Sequence, residues 1–384
     1  MAAQPIIDLG ALPLVNNLHA SAAAAEHAPR HPLRVVIEDD FTAHLDHQVP
    51  PDEMYGTNGY RSGVNAPYAA HCRGMWDEVK SLGPKRVIDI GGNDGTLLAA
   101  LREASGDDLA LVNVDASRSV AEENRAKGIE FVNAYWGDVD VGKADLITST
   151  NVFQHTADVD KFLDGIRRHL DGLWILEFPY FLTSVETNQF DQIYHEHYYY
   201  WLVAPLVERF RRHGLTMVSV REVDMHGGSL RIVSTTKPTH DARVWEPFVE
   251  RERRVDFAQW GASMKEKIAL DARAIRDLRE RSTVAAFGAA AKGCVWLNAT
   301  GCQDAFEYVV DDTPQKQGKF VPGTRLEVVS RQRLHDEPPG TIVILAHNFS
   351  DHIAESLRAT YRGRIVRMIP DLADVALRSL PCCS

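Results

Sequence analysis

From residue 69 onward, short apolar runs alternate with stretches of helical period. A helix leads into RVIDI at 86–90, a glycine turn follows at 91–95, and helical TLLAALREA leads to the strand LALVNVD, which ends at Asp115. DLITSTN then ends near Asn151 and GLWILEF near Phe178. Strands alternating with helices predict βαβ units and a mostly parallel sheet. EVDMHGGSLRIVSTT, at 222–236, reads as extra strands closing this domain. Val244, Phe248, Val255, Met264, Ile268, Ile275 and Leu278 approximate helical spacing and predict one or two long connecting helices. A second α/β unit runs through TVAAFG, AAAKGCVWLNAT, FEYVVDD, GTIVILAHN and RIVRMI. Residues 1–68 show an alanine-rich stretch and many Pro, Gly and Asn, and read as irregular. The expected units are therefore 1–68, 69–240, a helical connector at 241–282, and 283–384.

Composition narrows the function classes. At 384 residues, the chain has room for two or three domains. A net charge of −11 argues against wide contact with nucleic acid or anionic lipid, although local Lys and Arg can still hold a small anion. No apolar run approaches the roughly 20 residues that span a bilayer. The start, MAAQPIIDLGALPLVNNL, lacks a basic segment and carries Asp8, so it does not read as a signal peptide. The five cysteines (Cys72, Cys294, Cys302, Cys382, Cys383) include no two CxxC pairs, which disfavours a disulfide framework or a four-thiolate zinc site. The expected setting is reducing cytoplasm, as monomer or homodimer.

VIDIGGNDGTLL is a strand, a tight turn and a helix start, with Gly91, Gly92 and Gly95 allowing close backbone approach to a ligand. The spacing is not GxGxxG, and Asp89 and Asp94 beside the loop would repel a pyrophosphate. A cationic amino group and sulfonium suit such a loop better, which points to S-adenosylmethionine. Asp115, ending the next strand, is placed to accept both ribose hydroxyls, and Asn151 ends the strand beside it. The bland alternative is a turn that merely packs a helix on a sheet. QIYHEHYYYW, at 192–201, sets a carboxylate between two imidazoles, either as proton-transfer chemistry or as an aromatic strand with polar tips. FGAAAKG, with Gly288 and Lys292, opens another helix, and its amides would make an anion site. Asp311 or Asp312, at the next strand end, stands where dinucleotide folds carry their ribose-binding acid, so NAD is a physical alternative here.

These segments resemble the sugar C-methyltransferases that act on nucleotide-linked 4-keto-deoxysugars. The carrying stretches are DLGALPLVNNL, VPPDEMYGTNGYRSG, IDIGGNDGTLL, STNVFQHTADV, FPYFLTSVETNQFDQIYHEHYYYW, MHGGSLRIV, FGAAAKGCVWLN, VVDDTPQKQGKFVPGT and ILAHNFSD, in the family's order over nearly the whole chain. The resemblance implies an α/β fold: a class I, Rossmann-like methyltransferase domain, a C-terminal Rossmann-like domain, and a small degenerate N-terminal module. In the family that module carries zinc on two CxxC pairs. Here the first pair is absent and the second falls at Ile37 and Asp40, so no zinc is expected and the module must be packed or partly disordered.

Methylation at C3 of a 4-keto sugar needs a base and donors for an oxyanion. The resemblance carries those roles to Glu196 and His197, with Tyr194 as a hydroxyl donor. It also carries His155, a candidate donor to the C4 oxygen, and Tyr60, with Tyr55 competing. Strand geometry would place Glu196 and His197 on opposite faces, so both act only if the segment turns. His197 as base, or a group assisted by Glu196, both stay open. His195 reads as structural and Tyr198 to Trp201 as packing. The resemblance favours the nucleotide handle of the substrate at the second loop, with Lys316, His347 and Asn348 beside Gly288, Lys292 and Asp311. The rival readings are a methyltransferase for an amine or a non-sugar ketone, an NAD dehydrogenase, and a binding protein without catalysis.

Overall fold

The structure is a computed structural model and describes residues 3–54, 66–106 and 108–375. Residues 3–54 are not irregular. β1 (Gln4–Pro13), β2 (Arg30–Ile37) and β3 (Ala43–Leu45) form an antiparallel sheet whose fourth strand, β9 (Tyr199–Tyr200), comes from the aromatic run far along the chain. Register shifts between Pro5 and Ile7 and between Asp8 and Ala11 break the two-residue alternation of β1, and β2 contains Pro32. A broken period hides a strand from pattern reading. Packing holds this module: Ile7, Leu12, Leu33, Val35, Ala43 and Leu45 are buried in one core. The backbone at Gly261, in the helix Phe257–Arg281, runs so close to the Ile6 carbonyl that any Cβ would collide with it. Ile37 ends β2, and Asp40 accepts from the Thr42 amide at 2.9 Å.

The middle sheet has seven strands. β4 (Arg86–Ile90), β5 (Ala110–Asp115), β6 (Glu130–Asn133), β7 (Ala144–Thr150) and β8 (Leu170–Pro179) run parallel in the order β6-β5-β4-β7-β8. The hairpin of β10 (Thr216–Val223) and β11 (Ser229–Thr235) adds antiparallel at the β8 edge. Both faces of the central strands are covered, hence the near-continuous apolar runs. Chain order reverses between β4 and β7, and the crevice beyond their carboxyl ends is where such sheets take ligands.

The helices Glu246–Glu252 and Phe257–Arg281 connect to the third sheet. Its strands are β12 (Val284–Phe287), β13 (Val309–Val310), β14 (Val328–Val329), β15 (Thr341–Ile344), β16 (Arg364–Arg367) and β17 (Ala373–Asp374), in the order β14-β13-β12-β15-β16-β17, with only β17 antiparallel. Here order reverses between β12 and β15. Apolar residues of all three sheets join one core. Cys72, Cys294 and Cys302 are buried free thiols. Among the described residues, no helix is long and apolar enough to cross a membrane.

Candidate active site

The first glycine loop leaves β4 at the reversal point. Gly91 has φ +64°, and a Cβ there would lie 2.7 Å from Val152 Cγ2, on the loop after β7. The loop is tied to the strand ends: Gly92 N donates to Asn113 Oδ1 at 3.1 Å and Asn93 N to Asp115 Oδ2 at 3.0 Å. The other oxygen of Asp115 accepts from Ser117 N at 2.7 Å, and the residue is partly exposed. Asp94 turns back on its own helix, accepting from Thr96 N at 3.2 Å and Thr96 Oγ1 at 2.8 Å. Asp89 is buried. Its Oδ1 accepts from Thr148 Oγ1 at 2.8 Å, while Oδ2 has no hydrogen-bond partner. Burial pushes its carboxyl up to about 7. A buried carboxylate oxygen without a donor, beside a loop that a side chain would fill, fits a ligand with a cationic amino group. Asn151, at φ +54°, donates its amide to the Glu177 carbonyl at 2.9 Å.

The YHEH segment is a turn, closed by His197 N donating to the Tyr194 carbonyl at 3.0 Å. His197 is buried, with Nδ1 3.1 Å from the Gln192 carbonyl. A carbonyl only accepts, so Nδ1 carries the proton and Nε2 keeps its lone pair. Burial, then the charges of His155 and Lys292, hold His197 well below the usual histidine range, so it is neutral at pH 7. The partner fixing its tautomer is a backbone carbonyl and not the Glu196 carboxylate. That carboxylate instead accepts from Asn16 Nδ2 of the N-terminal module at 2.6 Å, and burial pushes it up to about 6. The Glu196 carbonyl holds His155, accepting from Nδ1–H at 2.6 Å.

The His155 ring meets the His197 ring edge-on at 5.0 Å, and Tyr194 lies 4.0 Å from His197 centre to centre. Burial brings His155 down to about 4. His195 points away, its Nε2–H donating to the His31 carbonyl at 3.1 Å. Tyr198 donates to the Val49 carbonyl at 2.8 Å, and Trp201 stacks on Phe153 at 4.7 Å, so these two residues pack. Tyr60 and Tyr55 lie outside the described residues.

The second glycine loop leaves β12 at the reversal point of the third sheet. Gly288 follows β12, where a Cβ would lie 2.8 Å from Ala346 Cβ, next to His347 and Asn348. Asp311 is turned onto this loop. It accepts from Ala289 N at 2.9 Å, and Lys316 Nζ reaches both Asp311 Oδ2 at 3.2 Å and the Ala289 carbonyl at 2.8 Å. That loop amide is thus satisfied by the chain's own carboxylate. Lys292 leaves the loop altogether and donates across the domain seam to the His226 carbonyl at 2.9 Å. His347 Nδ1 lies 2.9 Å from Asp191 Oδ2, and His347 Nε2 lies 3.3 Å from Gln189 Oε1. Asp191 Oδ1 and Asn348 Oδ1 are buried and have no hydrogen-bond partner.

Sequence reading passed over Asn16, Asp191, Gln192 and His226. HGGSLR signalled only the last, because a carbonyl that fixes a tautomer leaves no mark in side-chain pattern. Nitrogen-15 spectra at pH 6 are expected to show His197 and His155 as neutral Nδ1–H tautomers; an imidazolium signal from either at that pH would contradict this electrostatic picture.

Comparison with known proteins supplies the class. Residues 68–220 match the profile of a methyltransferase domain, and residues 224–370 match the C-methyltransferase C-terminal domain. The C-methyltransferase NovU of Streptomyces niveus is 29% identical, over 97% of this chain and 94% of that protein. A solved protein from Pyrococcus horikoshii overlays at TM-score 0.39, with 15% identity, 48% of this chain and 99% of that one. A Burkholderia thailandensis 1,6-didemethyltoxoflavin-N1-methyltransferase overlays at TM-score 0.38, with 17% identity, 50% of this chain and 93% of that one. These matches, which part within the β10–β11 hairpin, together with a relative aligned over nearly its whole length, support S-adenosylmethionine-dependent methyltransferase activity for the chain.

Proposed function

We propose that the chain methylates carbon next to a ketone, at C3 of a nucleoside-diphosphate 4-keto-deoxysugar. The observation that carries this reading is a buried His197 whose Nδ1 lies 3.1 Å from the Gln192 carbonyl, which leaves Nε2 available as a base. Bound at Asp89, Gly91, Gly92 and Asp115, S-adenosylmethionine would supply the electrophilic methyl group. His197 takes the C3 proton, and the neighbouring ketone accepts the electron pair as an enolate. His155, fixed by the Glu196 carbonyl, and Tyr194 order the same wall of the site. The C-terminal crevice, near Gly288, His347 and Asn348, is the place for the nucleotide handle. Self-pairing of Asp311 and Lys316 leaves backbone amides at the start of the helix Ala291–Thr300 to meet the diphosphate.

The test is calorimetry followed by exchange. S-Adenosylhomocysteine and then TDP or UDP should each bind saturably. A TDP-linked 4-keto-6-deoxysugar should exchange its C3 hydrogen in deuterated water and should gain a methyl group when cofactor is present. Cofactor binding without nucleotide binding or exchange would replace this reading with methylation of an acceptor that carries no nucleotide.

A further inference from the structure

We propose that Lys292, supplied by the C-terminal domain, holds the negative charge that forms on the substrate oxygen when His197 removes a proton from the adjacent carbon. The inference rests on the enolate reading above and adds a catalytic residue to it. Its sequence context, at the head of a glycine-loop helix, places Lys292 with the phosphates of a ligand. Its position in the fold does not.

Lys292 is the second residue of the helix Ala291–Thr300, and its side chain crosses the seam to the other domain. There Nζ donates to the carbonyl of His226, in the HGG turn between β10 and β11. The His226 ring lies 6.0 Å from that of Tyr68, whose hydroxyl is 2.8 Å from Thr150 Oγ1 at the end of β7. Lys292 is therefore linked to the end of β7 through two residues, His226 and Tyr68. The turn is pressed to the seam: a Cβ on Gly227 would run into Asn348 Oδ1 and Gln189 Oε1. An ammonium has three N–H groups, and among the described residues only the His226 bond uses one. The residue is of intermediate exposure at the seam.

The charge pattern then chooses the role. Burial lowers Lys292 to about 8, with Asp191 the anion acting against that shift. At neutral pH the ammonium is mostly charged, and it disfavours protonation of both His197 and His226. Lys292 Nζ and Gln192 Nε2 share the His226 carbonyl, at 2.9 and 3.0 Å, and the Gln192 carbonyl holds His197, so the cation stands near a base that it weakens unless an anion forms between them during the reaction. An enolate oxygen is such an anion. As it develops, it neutralises the field of Lys292 at His197 and favours the imidazolium just when His197 must take the proton. The step balances within the substrate and this chain. The C–H bond breaks and its proton goes to Nε2 of His197. The C–H pair becomes the C=C bond, and the carbonyl π pair moves onto oxygen, where the Lys292 ammonium pairs with it. In deuterated water the reverse step returns deuterium to carbon.

The experiment measures that exchange with S-adenosylhomocysteine in place of the methyl donor, on the full-length protein with a TDP-linked 4-keto-6-deoxysugar. Lys292→Met and Lys292→Gln should each lose about 10²–10³-fold in the saturating exchange rate, with S-adenosylhomocysteine affinity kept. Lys292→Arg, which retains the charge, should exceed both neutral variants by at least about tenfold, a comparison that holds even if one neutral variant folds poorly. Exchange within threefold of wild type in the neutral variants overturns the inference. So does equal exchange in the Arg and neutral variants, or a loss confined to the KM for the nucleotide sugar. Absence of exchange in the wild type is a different failure, because it removes the enolate reading itself.

Discussion

Replacing His197 with asparagine is expected to lower kcat for methyl transfer by about 10²–10⁴-fold while leaving S-adenosylhomocysteine affinity within about threefold. The split follows from location. Under the proposed function the cofactor would be held by the loop after β4 and by Asp89 and Asp115, whereas the ring of His197 is bound to the Gln192 carbonyl. Asparagine retains an N–H for the Gln192 carbonyl but offers no basic nitrogen, so the fold of the turn is preserved and the base is lost. Deuterium exchange into substrate carbon should vanish in step with methyl transfer. Exchange that persists in His197→Asn would move the base to another group of the YHEH turn, with Glu196, pushed up to about 6 by burial, the first to examine.

The largest expected change in stability comes from Arg231 on β11. Its guanidinium is buried among Glu177, Glu78 and His71, with ion pairs to both carboxylates and Nη2 3.1 Å from His71 Nε2. Glu177 is equally buried, and His71 Nε2 lies 2.8 Å from its Oε2. Arg231→Met would strand the Glu177 charge in the interior, at a cost of about 3–5 kcal/mol in urea unfolding at pH 7. Arg231→Met combined with Glu177→Leu should recover most of that loss, because the expense lies in the unpaired charge.

The dependence on pH carries a sign. Burial alone would raise the Glu177 carboxyl, but His71 and Arg231 overcome burial and hold it below its ordinary range. A carboxyl depressed in the folded state adds stability above its unfolded pKa, about 4.3, and loses it as pH falls through the folded value. The defect of Arg231→Met should therefore be greatest at neutral pH and shrink as the pH falls and the stranded carboxyl takes up a proton. A single-variant loss under about 1 kcal/mol, or no recovery in the double variant, would contradict the stranded-charge explanation.

What was legible in the sequence follows what is local. RVIDIGGNDG announces a strand, a turn and a helix within ten residues, because glycine spacing and apolar runs act over that range. The α/β class and the cofactor followed from it. The N-terminal sheet was not legible: bulges and prolines erase the alternation of β1, and one of its four strands is supplied by Tyr199 and Tyr200. At the site, the YHEH pattern pointed to Glu196 and His197 together without choosing between them, and gave no sign of the group that sets the His197 tautomer. Lys292 was legible as a cation on a glycine-loop helix, yet its direction across the seam is a property of how two domains meet. Asp191 gave no signal, since an acid in a polar run gains meaning only when His347 is brought beside it.

The shared strand of that first sheet has a further consequence. β9 begins two residues after His197 and is hydrogen-bonded into the N-terminal sheet, while Asn16 of the same module grips Glu196. The YHEH turn is thus clamped on its downstream side by the N-terminal module. In this chain, apolar side chains such as Ile7 and Val35 keep the clamp shut. The module's contribution is then mechanical: it is the anvil against which the YHEH turn is held.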